Sequence, residues 1–316
     1  MSIVGVSTPA VTVVIPAWSP KFIAQTIDSV LTQSFQDFEI VVVNDGSPET
    51  EALERVLAPF LPRIRYFVQK NAGGAAARNT GIHDARAPLI VNLDNDDLLE
   101  PGHLAAQVEF IQQHPEIDAR YVNLLYFGGS DLDGTHWMDH NPSDGDVSLL
   151  SVLAGRTCPA NPGSIVRRDT LLNLGLYDPA VDSWDDFDMW LRILYSGGKI
   201  AYCRKPLVRY RLHGGNLSSR RAHYMESAVR VLEKVEANMR LTAEETAALA
   251  ARKRSAMFDV EILRGKSALQ RRDWSEAIRH FEYCRLQAPS MKLRAVLLAL
   301  RAAPWLAGEI LRLRRD

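Results

Sequence analysis

Short apolar runs alternate with amphipathic stretches through the first hundred residues. Val11 to Ile15 is β-branched and stops at Pro16, which predicts a strand. Lys21 to Gln33 carries Phe22, Ile23, Ile27, Val30 and Leu31 at helical spacing. Phe38 to Val43 predicts a second strand, ended by Asn44-Asp45-Gly46-Ser47. Glu49 to Ala58 predicts a helix closed by Pro59. Ile64 to Val68 is a third strand, and Gly74 to Asp84 an alanine-rich helix. Leu89 to Leu93 is a fourth apolar run, broken off by Asp94, Asp96 and Asp97. This strand–helix order with short links predicts an α/β fold whose parallel sheet is covered on both faces.

The middle is less regular. Leu104 to Gln113 predicts a helix stopped by His114-Pro115. Tyr121 to Phe127 and Thr135 to Met138 flank a polar tip and predict a hairpin. Asn161 to Val166 predicts a strand and Arg168 to Leu174 a short helix ending at Gly175. Ser183 to Ser196 carries Trp184, Phe187, Trp190, Leu191 and Leu194 at helical spacing. Ile200 to Tyr202 and Leu207 to Tyr210 predict two short strands. Beyond about Arg220 glycine nearly vanishes, and alanine, leucine, arginine and glutamate predict an all-helical extension. Within it, Gly265 to Pro289 has the pattern of one tetratricopeptide-type hairpin. No second copy follows, so the unit is expected to pack on the preceding helices. Leu293 to Arg315 mixes apolar residues with Arg294, Arg301, Arg312, Arg314 and Arg315. It suits an anionic membrane surface and a packing helix with a basic solvated face equally well.

Totals change this picture little. A chain of 316 residues holds one large domain plus an extension, or two domains. The net charge of -1 gives no field that favours nucleic acid. Cys158, Cys203 and Cys284 are far apart, which fits a reducing compartment and no disulfide framework. The N-terminal stretch lacks a basic region, so no signal peptide is expected. No apolar run is long enough to span a bilayer.

Candidate chemistry gathers where the strands end. In parallel sheets ligands bind beyond the carboxyl ends of the strands. There lie Pro16-Ala17, Asn44-Asp45, Lys70-Asn71 and Asp94 to Asp97. Three carboxylates in four residues cannot stay charged and dry without a counter-charge. Oxygen ligands point to Mg²⁺ or Mn²⁺. The bland alternative, a solvated acidic turn, fits poorly after a buried strand. Asp45 suits an N–H on a base edge, or a turn and helix cap with Gly46 and Ser47. The turn Pro16-Ala17-Trp18-Ser19-Pro20 holds no glycine, which argues against a G-x-G-x-x-G site there. Gly73-Gly74 opens the third helix, whose free N–H groups favour an anion, with Arg78 one turn inside. Asp182, Asp185, Asp186 and Asp188 stand where helix-start charges belong. Trp184 and Trp190 suit either sugar stacking or the core.

Taken together, VTVVIPAW, SVLTQSFQDFEIVVVNDGS, KNAGGAAARNTGI, LIVNLDNDDLLEPGHL, SWDDFDMWLRI and YRLHGGNLS resemble the family 2 glycosyltransferases of the GT-A fold. The resemblance runs in order from about Thr12 to Ser218. It implies a Rossmann-like, mostly parallel sheet with helices on both faces over residues 1–220, followed by the helical region 221–316. Residues 10–100 would form the nucleotide-binding half and 101–220 the acceptor half. It implies transfer of a sugar from a nucleotide-diphosphate sugar, a UDP-sugar above all, to an acceptor hydroxyl with inversion. The donor nucleotide would meet Pro16, Ala17, Asp45, Lys70, Arg78, Asp94 and Asn95. Asp94-Asn95-Asp96 matches the D-x-D motif, with Asp96 on Mn²⁺ or Mg²⁺ and Asp94 on ribose or metal. Asp97 would touch the donor sugar. His213 would reach the metal or the diphosphate from a closing loop, with Arg211 assisting. Asp185-Asp186 matches an acidic pair that is usually Glu-Asp. The change leaves open which carboxylate is the base, with Asp186 favoured. A saccharide or lipid-linked acceptor is implied, within cell-surface polysaccharide assembly in the cytoplasm or at the inner face of the membrane. A nucleotidyltransferase would want a glycine-rich basic loop after the first strand. A non-catalytic scaffold would not need the acidic pair.

Overall fold

The computed structural model describes residues 8–215 and 221–302. Asn216 to Ser218 of the last motif, the first seven residues and the arginines beyond Arg301 lie outside them. The chain divides into two compact units, Met1–Asn216 and Leu217–Asp316.

In the first unit the order is β1 (Val11–Ala17), α1 (Pro20–Leu31), β2 (Phe38–Asn44), α2 (Thr50–Leu57), β3 (Arg65–Val68), α3 (Gly74–Asp84) and β4 (Leu89–Asn92). It continues with β5 (Leu98–Leu99), α4 (His103–Gln113), β6 (Ala119–Phe127), α5 (Trp137–His140) and α6 (Leu149–Leu153). It closes with β7 (Ile165–Arg167), α7 (Arg168–Asn173), α8 (Asp185–Tyr195) and β8 (Ile200–Arg211). The strands form one sheet in the order β3-β2-β1-β4-β7-β6-β8-β5. β1 to β4 run parallel. β7 is antiparallel to β4 and β6, and β5 to β8, while β6 and β8 are parallel.

Strand side chains alternate between faces, and here each set has its own helices. Val11, Val13, Ile15, Leu89 and Val91 pack with Ile23, Ile27 and Val30 of α1, Leu53 and Leu57 of α2, and Leu104 and Val108 of α4. Val14 and Ile90 face the other way, onto Ala75 and Ile82 of α3, Tyr177, and Met189 and Trp190 of α8. This is the covered sheet that uninterrupted apolar runs imply. Trp190, fully buried, is core and not a sugar platform.

Three expectations change. Thr135 to Met138 does not form a second hairpin strand. Leu125 and His136 share a single bridge, after which Asp139 accepts the His136 N–H at 3.0 Å and turns the chain into α5. The strand expected from Asn161 starts only at Ile165. Before it Ser164 N–H bonds Asn161 O at 2.9 Å in a turn with Gly163 at φ 69°. The two short strands after Gly198 are one, β8. The register shifts between Val122 and Leu124, where Asn123 faces Pro206. A proline has no N–H for the ladder, and a bulge is where a sheet tolerates one.

The second unit contains α9 (Arg221–Asn238), α10 (Ala243–Gln270), α11 (Trp274–Gln287) and α12 (Met291–Ala302). Thr242 and Glu245 cap α10 reciprocally. The helical hairpin is present. Gly265 lies against the Phe281 ring, and Asp273 caps α11 through Glu276 N–H at 2.9 Å. Its first helix is the end of the 28-residue α10. Ala268, Leu269, Ala277, Phe281, Leu297 and Leu300 make its core with α12. Among the described residues no helix is long and apolar enough to cross a membrane.

Candidate functional site

The site is built from turns that follow β1, β2, β3 and β4, from the first turn of α8, and from the end of β8. Each turn is tied to its neighbours by side chains. Ser47 Oγ donates to Trp18 O at 2.5 Å, and Asn95 Nδ2 donates to Ser19 O at 3.0 Å. Those bonds bind the turns after β2 and β4 to the Pro16–Ser19 turn. Ala17 is buried and its carbonyl accepts Asp45 N–H at 3.1 Å. Trp18 is exposed beside it.

Asp45 is buried and fully engaged. Its Oδ1 accepts Gln69 Nε2 at 2.7 Å and Ala72 N–H at 2.9 Å, and its Oδ2 accepts Gly73 N–H at 2.8 Å. The anion at the start of α3 is therefore the protein's own carboxylate. Gly46 is at φ 64°, and a Cβ there would stand 2.7 Å from Asn71 N. The glycine is what lets this turn sit against the Lys70–Gly73 loop. Lys70 is exposed on that loop.

Beyond β4 the acidic turn divides its work. Asp94 Oδ1 accepts Arg78 Nη2 at 2.8 Å. Asp96 Oδ2 lies 2.8 Å from His213 Nε2. Gly215 N–H donates to His213 Nδ1 at 3.1 Å, which makes Nε2 the protonated nitrogen facing Asp96. Burial, and then the Asp94 charge, raise the Asp96 pKa, with His213 opposing them. Asp97, expected against the donor sugar, is fully buried. Its Oδ1 accepts Arg211 N–H at 2.8 Å, and its Oδ2 has no hydrogen-bond partner. Burial, then Asp96 and Asp94, hold its carboxyl well above the ordinary range. Arg211 Nε donates to Asp96 O at 2.8 Å, and its guanidinium lies over Phe22 at 4.1 Å and Phe127 at 4.3 Å. Arg211 thus holds the backbone of the acidic turn.

The acidic pair opens α8. Trp184, the residue before the helix, has φ 69°, a conformation rare for a bulky side chain. Asp185 Oδ2 accepts Arg78 Nη1 at 2.6 Å. Burial raises the Asp185 pKa, and Arg78 opposes the rise. Asp186 is half-buried and its Oδ1 accepts its neighbour Phe187 N–H at 2.7 Å. Burial, reinforced by the Asp185 charge, pushes its pKa up to about 7. A carboxylate tuned near neutrality suits proton abstraction at physiological pH. Asp188 is buried in a 2.8 Å ion pair with Arg192, whose other nitrogens bond Leu174 O and Leu176 O. It holds α8 in place. Asp182 is exposed.

Sequence reasoning placed Arg78 at the phosphates and did not foresee its two carboxylate partners, 16 and 107 residues away. It also missed Tyr177, buried beneath Arg78 with its ring 5.8 Å from the guanidinium. Asn79 bonds both Tyr177 N–H and Tyr177 O. One signal was available. A lone arginine in an alanine-rich helix needs an acidic partner, and the two acidic clusters were the candidates.

No cluster of three or more His, Cys, Asp or Glu side chains poised for a metal exists among the described residues. With the His213 proton moved to Nδ1, which gives up the bond from Gly215 N–H, Asp96 and His213 supply two donors. Their 2.8 Å separation is close to the roughly 3 Å between adjacent ligands about 2.1 Å from an octahedral cation. Mg²⁺-type cations are commonly held by one or two protein groups with substrate phosphates completing the shell, so the donor set fits Mn²⁺ or Mg²⁺.

Residues 12–168 match the family model described as glycosyl transferase family 2. An uncharacterised glycosyltransferase of Rickettsia felis is 26% identical over 228 residues, 69% of this chain and 36% of its own length. The amylovoran biosynthesis glycosyltransferase AmsE of Erwinia amylovora is 27% identical over 218 residues, 67% of this chain and 79% of its own. The chain spans about a third of the length of the first rickettsial relatives it matches. Among solved structures, S. aureus TarS 1-349 in complex with UDP-GlcNAc superposes with a TM-score of 0.64 at 18% identity, covering 96% of this chain and 91% of that one. The mannosyltransferase PcManGT from Pyrobaculum calidifontis in complex with GDP-Man and Mn²⁺ gives 0.61 at 18% identity, covering 98% and 89%. The fold is the GT-A one that the motifs implied.

Proposed function

The chain belongs to glycosyl transferase family 2, and on that premise we propose that it moves a sugar from a nucleotide-diphosphate sugar to an acceptor hydroxyl with inversion. The observation that carries this is Asp186, a carboxylate tuned to about 7 and joined through Asp185 and Arg78 to Asp94 of the D-x-D turn. One corner of the site holds an acceptor-side base, and the other a charge-bearing turn, in a single ion-paired frame.

Asp186 accepts the proton of the acceptor hydroxyl as that oxygen attacks the anomeric carbon. The bond to the diphosphate oxygen breaks on the opposite face, and nucleoside diphosphate leaves. Asp96 and His213 would hold the divalent cation, with Asp94 the other candidate donor of that turn. When bound, Mn²⁺ or Mg²⁺ neutralises the charge that develops on the leaving diphosphate. Trp18 and Lys70 line the nucleotide side, and Asp45 ties the turn after β2 to the Lys70–Gly73 loop between them. A UDP-sugar donor is supported by the UDP-GlcNAc named for the TarS structure, and GDP-sugars are the competing donor class. A saccharide or lipid-linked acceptor in polysaccharide assembly is supported by the AmsE name. We place the protein in the cytoplasm, free or at the inner face of the membrane.

Two variants test the reaction. Asp186→Asn should lose at least about a hundredfold in kcat while binding UDP-sugar and Mn²⁺ as the parent does. Asp96→Ala should abolish turnover and Mn²⁺-dependent donor binding together. Unchanged turnover in Asp186→Asn would remove the base assignment. Release of pyrophosphate in place of nucleoside diphosphate would sink the transfer chemistry.

A further inference from the structure

Resting on the assignment of Asp186 as the base, we propose that Arg78 is a positioning residue for that base and not a ligand of the donor's phosphates. Both of its terminal nitrogens are engaged inside the protein. Nη1 binds Asp185 at 2.6 Å and Nη2 binds Asp94 at 2.8 Å. Nε is buried with no hydrogen-bond partner, and the side chain is 11% exposed. An anion arriving from solvent meets a guanidinium already held by two carboxylates.

Helix α3 docks the base-bearing segment at two consecutive residues. Asn79 bonds the backbone N–H and O of Tyr177 at 3.0 and 2.7 Å. Arg78 seizes Asp185, the residue before the base. Between them the chain turns through Trp184 at φ 69°, a strained conformation that persists only where its surroundings impose it. The Arg78–Asp185 pair is such a constraint. It fixes the first turn of α8 and so the direction in which Asp186 points.

The groups that face Asp186 are Asp185 on its own helix, Arg78 from α3, Asp94 from the turn after β4, and Tyr177 from the segment after α7. Arg78 is the cation among them. Without it, two carboxylates lie uncompensated beside the base, whose affinity for its proton rises. Burial works against the charge of Arg78, and Asp185 and Asp94 more than overcome that.

The test uses the full chain with a UDP-sugar donor and Mn²⁺, comparing Arg78→Lys, Arg78→Gln, Asp185→Asn and the Arg78→Gln/Asp185→Asn pair. Donor Kd, read by calorimetry, should stay within about threefold of the parent, because ground-state binding is untouched. In Arg78→Gln kcat should fall by about a hundredfold, the scale of a misplaced reacting group. Its kcat–pH rise should move to higher pH. Arg78→Lys should recover part of kcat, and the pair should lose less than the two single losses combined. If Arg78→Gln does not fold, Arg78→Lys and Asp185→Asn carry the same comparison. Donor binding weakened tenfold or more, with the pH rise unmoved, would make Arg78 a phosphate ligand and overturn the proposal. The two assignments fail separately. An active Asp186→Asn removes the base and this inference with it, whereas an inactive Asp186→Asn beside normal Arg78 variants removes this inference alone.

Discussion

At Asp186 one atom group links catalysis and stability. Its folded pKa of about 7 stands above the ordinary aspartate value of about 4. Between those values the folded chain keeps a proton that the unfolded chain has released. The favourable contribution is complete below about pH 4 and is lost as pH rises through about 7. Asparagine mimics the neutral acid without titrating. Asp186→Asn should therefore melt several degrees above the parent at pH 8 and level with it near pH 4, by calorimetry in both buffers. In the parent, kcat should climb as pH passes about 7, when the base loses its proton. A parent profile flat between pH 6 and 8 would remove Asp186 from the role. Legibility at this scale was partial. Asp45, Asp94, Asp96, Asp185, Asp186 and His213 stood out because each follows a strand end or opens a helix. Their pairings did not, because Arg78 meets partners far apart in the chain, and only the folded topology brings them together.

At the scale of elements, the positions of the site follow from how closely α3 lies on β1. Gly81 faces Val14, and a Cβ on the glycine would run into the valine Cγ1. Gly81→Ala should destabilise the chain by about 1–3 kcal/mol through overpacking. Val14→Ala in the same chain should restore much of that loss, as chemical denaturation would show. A single variant as stable as the parent would contradict the close approach. Regular elements were the readable part. β1 to β4 and their helices declare themselves through unbroken apolar runs and amphipathic spacing. What escaped reading were elements shaped by particular side-chain bonds. Asp139 turns a hairpin arm into α5, and Asn123 Nδ2 holds Arg204 O at 3.1 Å in the bulge of β8. Such bonds leave no periodic trace.

For the whole molecule, one sheet carries two kinds of strand order. The parallel part, β3-β2-β1-β4, presents its carboxyl ends to the nucleotide-side residues, and β7 reverses direction between it and β6. A ligand that binds only the folded form stabilises it by mass action, about 2.7 kcal/mol at a hundred times Kd. A UDP-sugar with Mn²⁺ should raise the melting midpoint by several degrees. EDTA should remove most of that gain, and a GDP-sugar should give less. Equal shifts with and without Mn²⁺ would argue against Asp96 and His213 as cation holders.

Leu98 and Leu99 pair with Arg209 and Val208, one residue beyond Asp97 and four before His213. That two-rung ladder is a gauge block between the D-x-D turn and the histidine. Lengthening residues 210–212 by one would carry His213, just beyond the end of β8, away from Asp96 while Asp96 stayed where it was. This corner should therefore tolerate substitutions better than insertions, because a change of length there separates carboxylate and imidazole at one stroke.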